Sequence, residues 1–120
     1  MKKLEDLVGL TPTSIVAEEY EITFNFEGGA SIRFYHEQNC CENVWVEDVN
    51  GDWDDLLNTT LLVIDERVSY DAPNDSEEID SDSWTFYTFR SIKGSVDVRW
   101  HGSSNGYYST SVDWEIEGLS

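Results

Sequence analysis

An alternation of apolar and polar side chains with a period of two residues is the feature that most limits the possible fold. It runs through residues 20–27, where the apolar positions are Tyr20, Ile22, Phe24 and Phe26. The alternation resumes after the pair Gly28-Gly29 and continues to His36. Since successive side chains of a strand point to opposite faces of a sheet, both segments are predicted to be strands with one buried face, joined in a hairpin.

The register of this hairpin can also be predicted. A three-residue loop over residues 28–30 places Phe26 opposite Ile32. It also places Ile22 opposite His36, and it keeps the apolar side chains on one face. Under this register, His36 ends the core-facing side of the second strand.

The second half of the chain predicts further strands. Residues 61–64 form a continuous apolar run, which is typical of a strand buried on both faces, and this strand is expected to continue to Tyr70. Residues 84–92, 95–101 and 107–116 are predicted to be three more strands. The acidic segment between them, residues 71–83, is predicted to be a solvated loop.

Short helices are expected at two places. Residues 2–8 have apolar side chains at helical spacing, and Asp52 can cap a helix that starts just after it. The predicted fold class is therefore α+β: a mostly antiparallel β-sheet built from two hairpin or meander units, with one or two short helices, in a single domain of 120 residues.

A register for the C-terminal strands follows from a tight turn at residues 93–94. This turn pairs Arg90 with Asp97, and a loop after it pairs Trp100 with Tyr108. The resulting sheet has one apolar face. Its opposite face collects side chains that can stack on a base and bind phosphate, and the candidate ligand-binding residues are Phe86, Arg90, Arg99, His101 and Tyr107. The alternative is that these residues form a second packed layer, in which Arg90 is paired with Asp97.

The charge limits the possible partners. The chain has 25 acidic and 7 basic residues, a net charge of −18 and a pI of about 4.1. This charge argues against direct binding to nucleic acid or to anionic lipid, because the main attractive interaction would have the wrong sign. A basic protein surface is the expected partner, although acidity that serves only solubility is an open alternative. The candidate partner-binding surface comprises Glu37, Glu42, Glu47, Asp48, Asp52, Asp54, Asp55, Asp75, Glu77, Glu78, Asp80 and Asp82.

Possible metal sites in residues 36–57 lack ligands. His36, Cys40 and Cys41 match no zinc-binding spacing, and the carboxylates around them oppose thiolate formation. The stretch 48–54 resembles the start of a calcium loop, but the later Glu ligand is missing. No metal or other cofactor is therefore predicted. No known catalytic motif is present either, and we expect a protein that is not an enzyme.

Two stretches of the chain resemble a known family. The first is residues 36–42, His-Glu-Gln-Asn-Cys-Cys-Glu, with Glu-Asp and Gly-Asp pairs shortly after it. The second is Trp-Thr-Phe-Tyr at 84–87, with Lys-Gly, Arg-Trp and Ser-Asn-Gly-Tyr-Tyr-Ser following. Together they resemble a family of small acidic bacteriophage and prophage proteins of unknown function, over about residues 4 to 116. The resemblance implies a viral setting and supplies no catalytic residues.

A small acidic phage protein is expected to inhibit a host factor. Alternate carboxylates on a strand are about 6.6 Å apart, a spacing similar in scale to that of backbone phosphates. The leading hypothesis is therefore a nucleic-acid mimic that binds a basic host protein, such as a CRISPR effector or a nuclease, in the bacterial cytoplasm. One alternative is a sponge for a small nucleotide signal of host defence, and another is an accessory phage protein. We expect a monomer or small homo-oligomer that does not bind a membrane, since no apolar run is long enough to span one.

Overall fold

The computed structural model describes residues 3–37, 42–70, 81–104 and 112–118. Eight strands lie in these ranges: β1 (Pro12–Ala17), β2 (Glu21–Phe26), β3 (Ser31–Tyr35), β4 (Glu42–Asn50), β5 (Val63–Tyr70), β6 (Ser81–Arg90), β7 (Ser95–Ser104) and β8 (Asp113–Glu117). They form two four-stranded sheets. The first sheet has the order β1-β2-β3-β8 and the second sheet has the order β4-β7-β6-β5, with antiparallel neighbours throughout.

The core lies between the two sheets. Phe34 of β3 lies 4.8 Å from Tyr87 of β6, measured between ring centroids, and Phe24 of β2 lies 4.8 Å from Phe89 of β6. All four rings are at most 1% exposed. Because these contacts join one sheet to the other, the sheets pack face to face, and the period-two pattern of each strand decides which side chains enter the core.

The first hairpin exists, but its predicted register is wrong by two residues. Phe24 lies opposite Ile32, and Ile22 lies opposite Phe34. The Phe26 N–H donates to the Ala30 carbonyl oxygen (2.8 Å), so the loop covers residues 27–29 instead of 28–30. A shift of two leaves every side chain on the same face. The predicted apolar face is therefore confirmed from Ile22 to Phe34, whereas Tyr20, which was also assigned to it, is 47% exposed.

His36 is not part of this hairpin. β3 ends at Tyr35, which lies opposite Glu21, and His36 follows it as a half-buried residue. Gly28 and Gly29 have φ values of 95° and 98°. The loop places both of its positive φ values on glycine, the residue with the least steric cost there, and this preference fixes the loop one residue earlier than predicted.

The register between β6 and β7 also differs from the prediction. Arg90 lies opposite Ser95, and the chain reverses over residues 91–94. Asp97 consequently lies opposite Thr88, whose hydroxyl donates to its carboxylate (2.7 Å). The predicted pair of Arg90 with Asp97 is therefore wrong, although both faces of the hairpin are as predicted.

The last strand does not pair with β7. The second neighbour of β7 is β4, where Val46 lies opposite Trp100. β8 instead joins the first sheet, where Trp114 lies opposite Phe34. The prediction of three consecutive strands in one sheet is wrong at this point, and Tyr108 lies outside the described residues.

β5 is an edge strand and is not buried on both faces. Leu61 is buried just before the strand, but Val63 is 39% exposed and Val68 is 49% exposed. The apolar run was misread because its buried residues belong partly to the segment before β5, where Leu61 exchanges backbone hydrogen bonds with Gly9 and Leu10.

The helical part of the predicted fold class is wrong, because the described residues are nearly all β. The two expected helices are single 3-10 turns, Leu4–Leu7 and Trp53–Asp55. The predicted cap is confirmed, since Asp52 Oδ1 accepts a hydrogen bond from the Asp54 backbone N–H (3.0 Å). None of the helices in these ranges is long and apolar enough to cross a membrane.

Candidate functional site

Three rings stack across the outer face of the second sheet, which is the face turned away from the core. His101 of β7 lies between Trp45 of β4 and Trp84 of β6, each directly opposite it in the register. The ring centroids are 4.6 Å and 4.9 Å apart, with interplanar angles of 34° and 29°. These separations match the spacing of neighbouring strands, about 4.8 Å, so the rings stand side by side. We call these three residues the aromatic ladder.

Two carboxylates bind the imidazole of the ladder. His101 Nδ1 lies 2.5 Å from Glu47 Oε2, and His101 Nε2 lies 3.0 Å from Asp82 Oδ1. The His101 side chain is only 20% exposed. An imidazolium can donate to both carboxylates, whereas a neutral imidazole can donate to one. The outer face therefore contains a His101 ring that is fixed from four sides.

A β-bulge directs Glu47 toward this cluster. The register of β4 against β7 shifts between Val46 and Asp48, so Glu47 is the extra residue in its strand. Its second oxygen, Oε1, lies 2.9 Å from Arg99 Nη2. Bulges redirect side chains in this way, and here one carboxylate bridges Arg99 and His101.

The predicted ligand-binding residues are only partly brought together. Phe86 lies directly opposite Arg99 and beside Arg67, whose guanidinium is 5.7 Å from the ring centroid. Arg90 is exposed on the same face, four residues farther along β6, and Tyr107 lies outside the described residues. Arg99 and His101 already contact carboxylates of the chain. A phosphate group would therefore have to displace these carboxylates before it could bind either side chain. This geometry does not favour the nucleotide sponge.

The outer face of the first sheet contains a groove of about 330 Å³, in which a cation is again paired with carboxylates. Arg33 lies in it between Glu21 (3.9 Å) and Glu115 (3.5 Å), and its guanidinium lies over the Tyr35 ring (4.2 Å). The cation of this groove is thus also bound by the chain's own carboxylates.

Several predicted acidic residues lie along β4 and the turn after it. The β1–β2 connection brings two more carboxylates to this edge, because the Val46 N–H donates to the Glu19 carbonyl oxygen (2.7 Å). We call this set the acidic edge, and all its members are exposed: Glu18, Glu19, Glu47, Asp48, Asp52 and Asp54. Glu18 and Glu19 were not predicted to belong to it, because the contact is made by backbone atoms of two sheets and leaves no pattern in the sequence.

The other predicted acidic residues are distributed differently. Glu37 is exposed just after β3, Asp55 is half-buried beside Gly94, and Asp82 belongs to the cluster around His101. The remaining members lie outside the described residues or have side chains that the structure does not describe: Glu42, Asp75, Glu77, Glu78 and Asp80.

Trp45 and Trp84 were missed as members of the outer face. The signal was available for Trp84, which precedes Phe86 by two residues and so shares its face. No group of three or more His, Cys, Asp and Glu side chains in the described ranges could hold a metal ion. Cys40 and Cys41 lie outside those ranges.

The fold and this surface define an acidic, nearly all-β protein built from two packed antiparallel sheets. A family model described as a domain of unknown function (DUF7448) matches residues 5–114, and the chain belongs to that family. No curated protein and no solved structure matches the chain. Since the family description names no source, the phage setting stays a prediction.

Proposed function

We propose that this protein is an acidic binding protein whose acidic edge occupies the nucleic-acid-binding surface of a basic protein and thereby inhibits it. The observation that carries the proposal is the acidic edge itself, a row of exposed carboxylates in β4, the turn after it and the β1–β2 connection. Within the described residues, Arg99 and His101 are the basic side chains bound to this row, and both contact the same carboxylate, that of Glu47. The rest of the row is free to attract cations of a partner.

The chain's few basic residues support this proposal. Of its 7 lysines and arginines, Lys3, Arg33, Arg67 and Arg99 contact carboxylates of the chain itself. These residues thus do not form a free basic patch for nucleic acid. An uncompensated negative field of this kind accelerates association with a positive surface and selects against acidic partners.

The form of the row also suits a nucleic-acid mimic. Its carboxylates lie close together along the chain: Glu47 and Asp48 are neighbours in β4, and Asp52 and Asp54 lie in the turn after it. The bulge at Glu47 and the cap at Asp52 hold two of these positions in place. A basic channel that binds DNA or RNA through phosphates is the complementary surface.

The proposed targets are host proteins of a bacterium infected by a phage, with a CRISPR effector or a nuclease as the first to test. The family resemblance described above supports this setting. The inhibitor would act in the host cytoplasm without a cofactor and without catalysis.

The test is a competition assay with fluorescently labelled duplex DNA bound to purified CRISPR effectors and nucleases. We expect the protein to displace the DNA, and displacement to weaken as salt rises from about 50 to 200 mM. The variant Asp48→Asn/Asp52→Asn/Asp54→Asn should require at least about tenfold more protein for the same displacement.

The matched control neutralises three exposed carboxylates on the first sheet and its loop, in the variant Glu27→Gln/Asp113→Asn/Glu117→Gln. It has the same net charge as the acidic-edge variant and should lose much less activity. Equal losses in the two variants would show that only total charge matters. Absence of displacement from every target would leave the acidic row with a role in solubility alone.

A further inference from the structure

β5 differs from the other edge strands in the described part of the chain. β1 begins with Pro12 and its register is irregular between Pro12 and Ser14. β4 contains the bulge at Glu47, and β8 has only five residues, Asp-Trp-Glu-Ile-Glu, with three carboxylates. Prolines, bulges, short length and like charges are the devices that stop an edge strand from pairing with another chain.

β5 has fewer of these devices, although Glu66 is a charge on its core-facing side and the 3-10 turn Leu4–Leu7 lies beside it. It is eight residues long, has no proline, and pairs with β6 over its whole length without a register shift. Residues 65–69 are all exposed, and Val68 is 49% exposed although it lies on the core-facing side. Among the described residues, no strand pairs with its free side. β5 is therefore the edge best suited to accept another strand.

The charges of β5 are complementary to themselves. Asp65 and Arg67 point to the outer face with side chains 59% and 67% exposed. Their ion pair within one chain is long, because Arg67 Nε lies 3.9 Å from Asp65 Oδ2. We propose that β5 pairs antiparallel with β5 of a second copy, with the two-fold axis at Glu66. In this register Asp65 of each copy lies opposite Arg67 of the other, which gives two cross-strand ion pairs.

The core-facing side selects the same register. With the axis at Glu66, Ile64 of one copy lies opposite Val68 of the other, so the exposed Val68 gains an apolar neighbour. Moving the axis by one residue places Asp65 opposite Asp65 or Arg67 opposite Arg67, and like charges directly opposite each other are destabilising. A two-fold axis normal to the sheet also keeps the core faces of both copies on one side.

One contact in this register is unfavourable. Glu66 lies opposite Glu66 of the second copy, although each carboxylate accepts a hydrogen bond from its own Tyr87 hydroxyl (2.6 Å). Pairing of two short strands is therefore expected to be weak. The variant Glu66→Gln removes the repulsion and should tighten the dimer several-fold.

The proposed dimer does not rest on the proposed function. The two can be distinguished by how self-association and binding to a basic partner each change with salt. Two copies that each have a net charge of −18 repel each other, and added salt screens that repulsion. Self-association should therefore strengthen with salt, whereas binding of the acidic edge to a basic partner should weaken.

The decisive experiment is a charge exchange, measured by sedimentation equilibrium at protein concentrations up to about 1 mM. Asp65→Arg places Arg opposite Arg67, and Arg67→Asp places Asp opposite Asp65, so each variant alone should associate at least about tenfold more weakly than the wild type. Mixed in equal amounts, the two variants restore both ion pairs in a heterodimer. Association in the mixture should return to the wild-type level or exceed it.

The control pair, Glu27→Arg mixed with Lys93→Asp, makes the same charge changes at exposed positions outside β5 and should show no preference for the mixture. Far-UV circular dichroism checks that each variant is folded, and Glu66→Gln supplies a test that reverses no charge. A mixture of the Asp65 and Arg67 variants that associates no better than either alone would overturn the proposal. A wild-type chain that stays monomeric at about 1 mM protein and 1 M salt would overturn it as well.

Discussion

The hydroxyl of Tyr87 gives the fold a measurable sensitivity to alkaline pH. The residue is 1% exposed, and its hydroxyl donates to Glu66 Oε2 (2.6 Å). Burial raises the pKa of this hydroxyl far above its ordinary value, and the hydrogen bond to Glu66 and the negative charges of Glu66 and Asp113 raise it further. The phenol is therefore expected to stay protonated in the folded state at pH values where it ionises in the unfolded chain.

The sign and size of the effect follow from proton linkage. Below pH 10 both states hold the proton, so the stabilising contribution of the neutral phenol is fully present. Above about pH 10 the unfolded state releases the proton and the folded state keeps it, and the free energy of unfolding falls by about 1.4 kcal/mol per pH unit. Between pH 9.5 and 11.5 this amounts to about 2 kcal/mol.

The perturbation is Tyr87→Phe, and the assay is urea unfolding at pH 7, 9.5, 10.5 and 11.5. At pH 7 the variant should lose about 1 kcal/mol, which is below the usual value for a hydrogen bond to a charged group because Glu66 is exposed to water. Between pH 9.5 and pH 11.5, the free energy of unfolding of the variant should fall by about 2 kcal/mol less than that of the wild type. Tyr20→Phe is the control, since the Tyr20 side chain is 47% exposed. If Tyr87→Phe and the wild type lose the same stability between pH 9.5 and 11.5, the reasoning is refuted.

Two further predictions concern the close approach of Gly51 to β7 and the cluster at His101. Gly51 has a φ of 122°, and a Cβ there would lie 2.5 Å from the Ser95 carbonyl oxygen. Gly51→Ala should therefore lower the free energy of unfolding by about 2 kcal/mol or more in urea titrations. An unchanged unfolding midpoint would contradict the close approach. Glu47→Gln removes the charge that bridges Arg99 and His101, and because these side chains are partly exposed the loss should be only about 1 kcal/mol by the same measurement; a gain in stability would show that the bridge does not stabilise the fold.

The faces of the strands could be predicted from the sequence, but their registers could not. Alternation in residues 20–36 assigned Phe24 and Phe34 to the core, and both are at most 1% exposed. The same alternation is unchanged by a shift of two residues, so it could not distinguish a loop at 28–30 from one at 27–29. The choice depends on which residues adopt a positive φ, and the structure gives this conformation to Gly28 and Gly29.

The strand order could not be predicted because it depends on contacts between distant segments. Residues next to each other in sequence suggested that the last strand would follow β7 in the same sheet. Instead, Trp100 lies opposite Val46, and Trp114 lies opposite Phe34. Periodicity describes which face of a strand is apolar and contains no information on which partner will lie beside it.

The candidate site was predictable to the same extent. The aromatic and cationic face was assigned from Phe86, Arg99 and His101, which do share one face. Their ion pairs were not predictable, because Glu47 reaches Arg99 and His101 through a bulge in a strand that was not expected to lie beside β7. The acidic residues were identified by charge alone, and the structure adds the neighbours that make several of them one edge.

The two edges of the second sheet carry different charge patterns, and the difference bears on both proposals. β4 and its surroundings are negative, which opposes pairing with a second copy and favours a basic partner. β5 carries Asp65, Glu66 and Arg67 in succession, which permits pairing with itself.

In the proposed dimer the order of strands places the two β4 edges at opposite ends of a continuous eight-stranded sheet, seven strand spacings apart, or about 34 Å. That separation exceeds the Debye length of about 8 Å at physiological salt, so the two acidic edges should bind partners independently. Each dimer is therefore expected to bind two partners with equal affinity, and the acidic-edge variant should still dimerise.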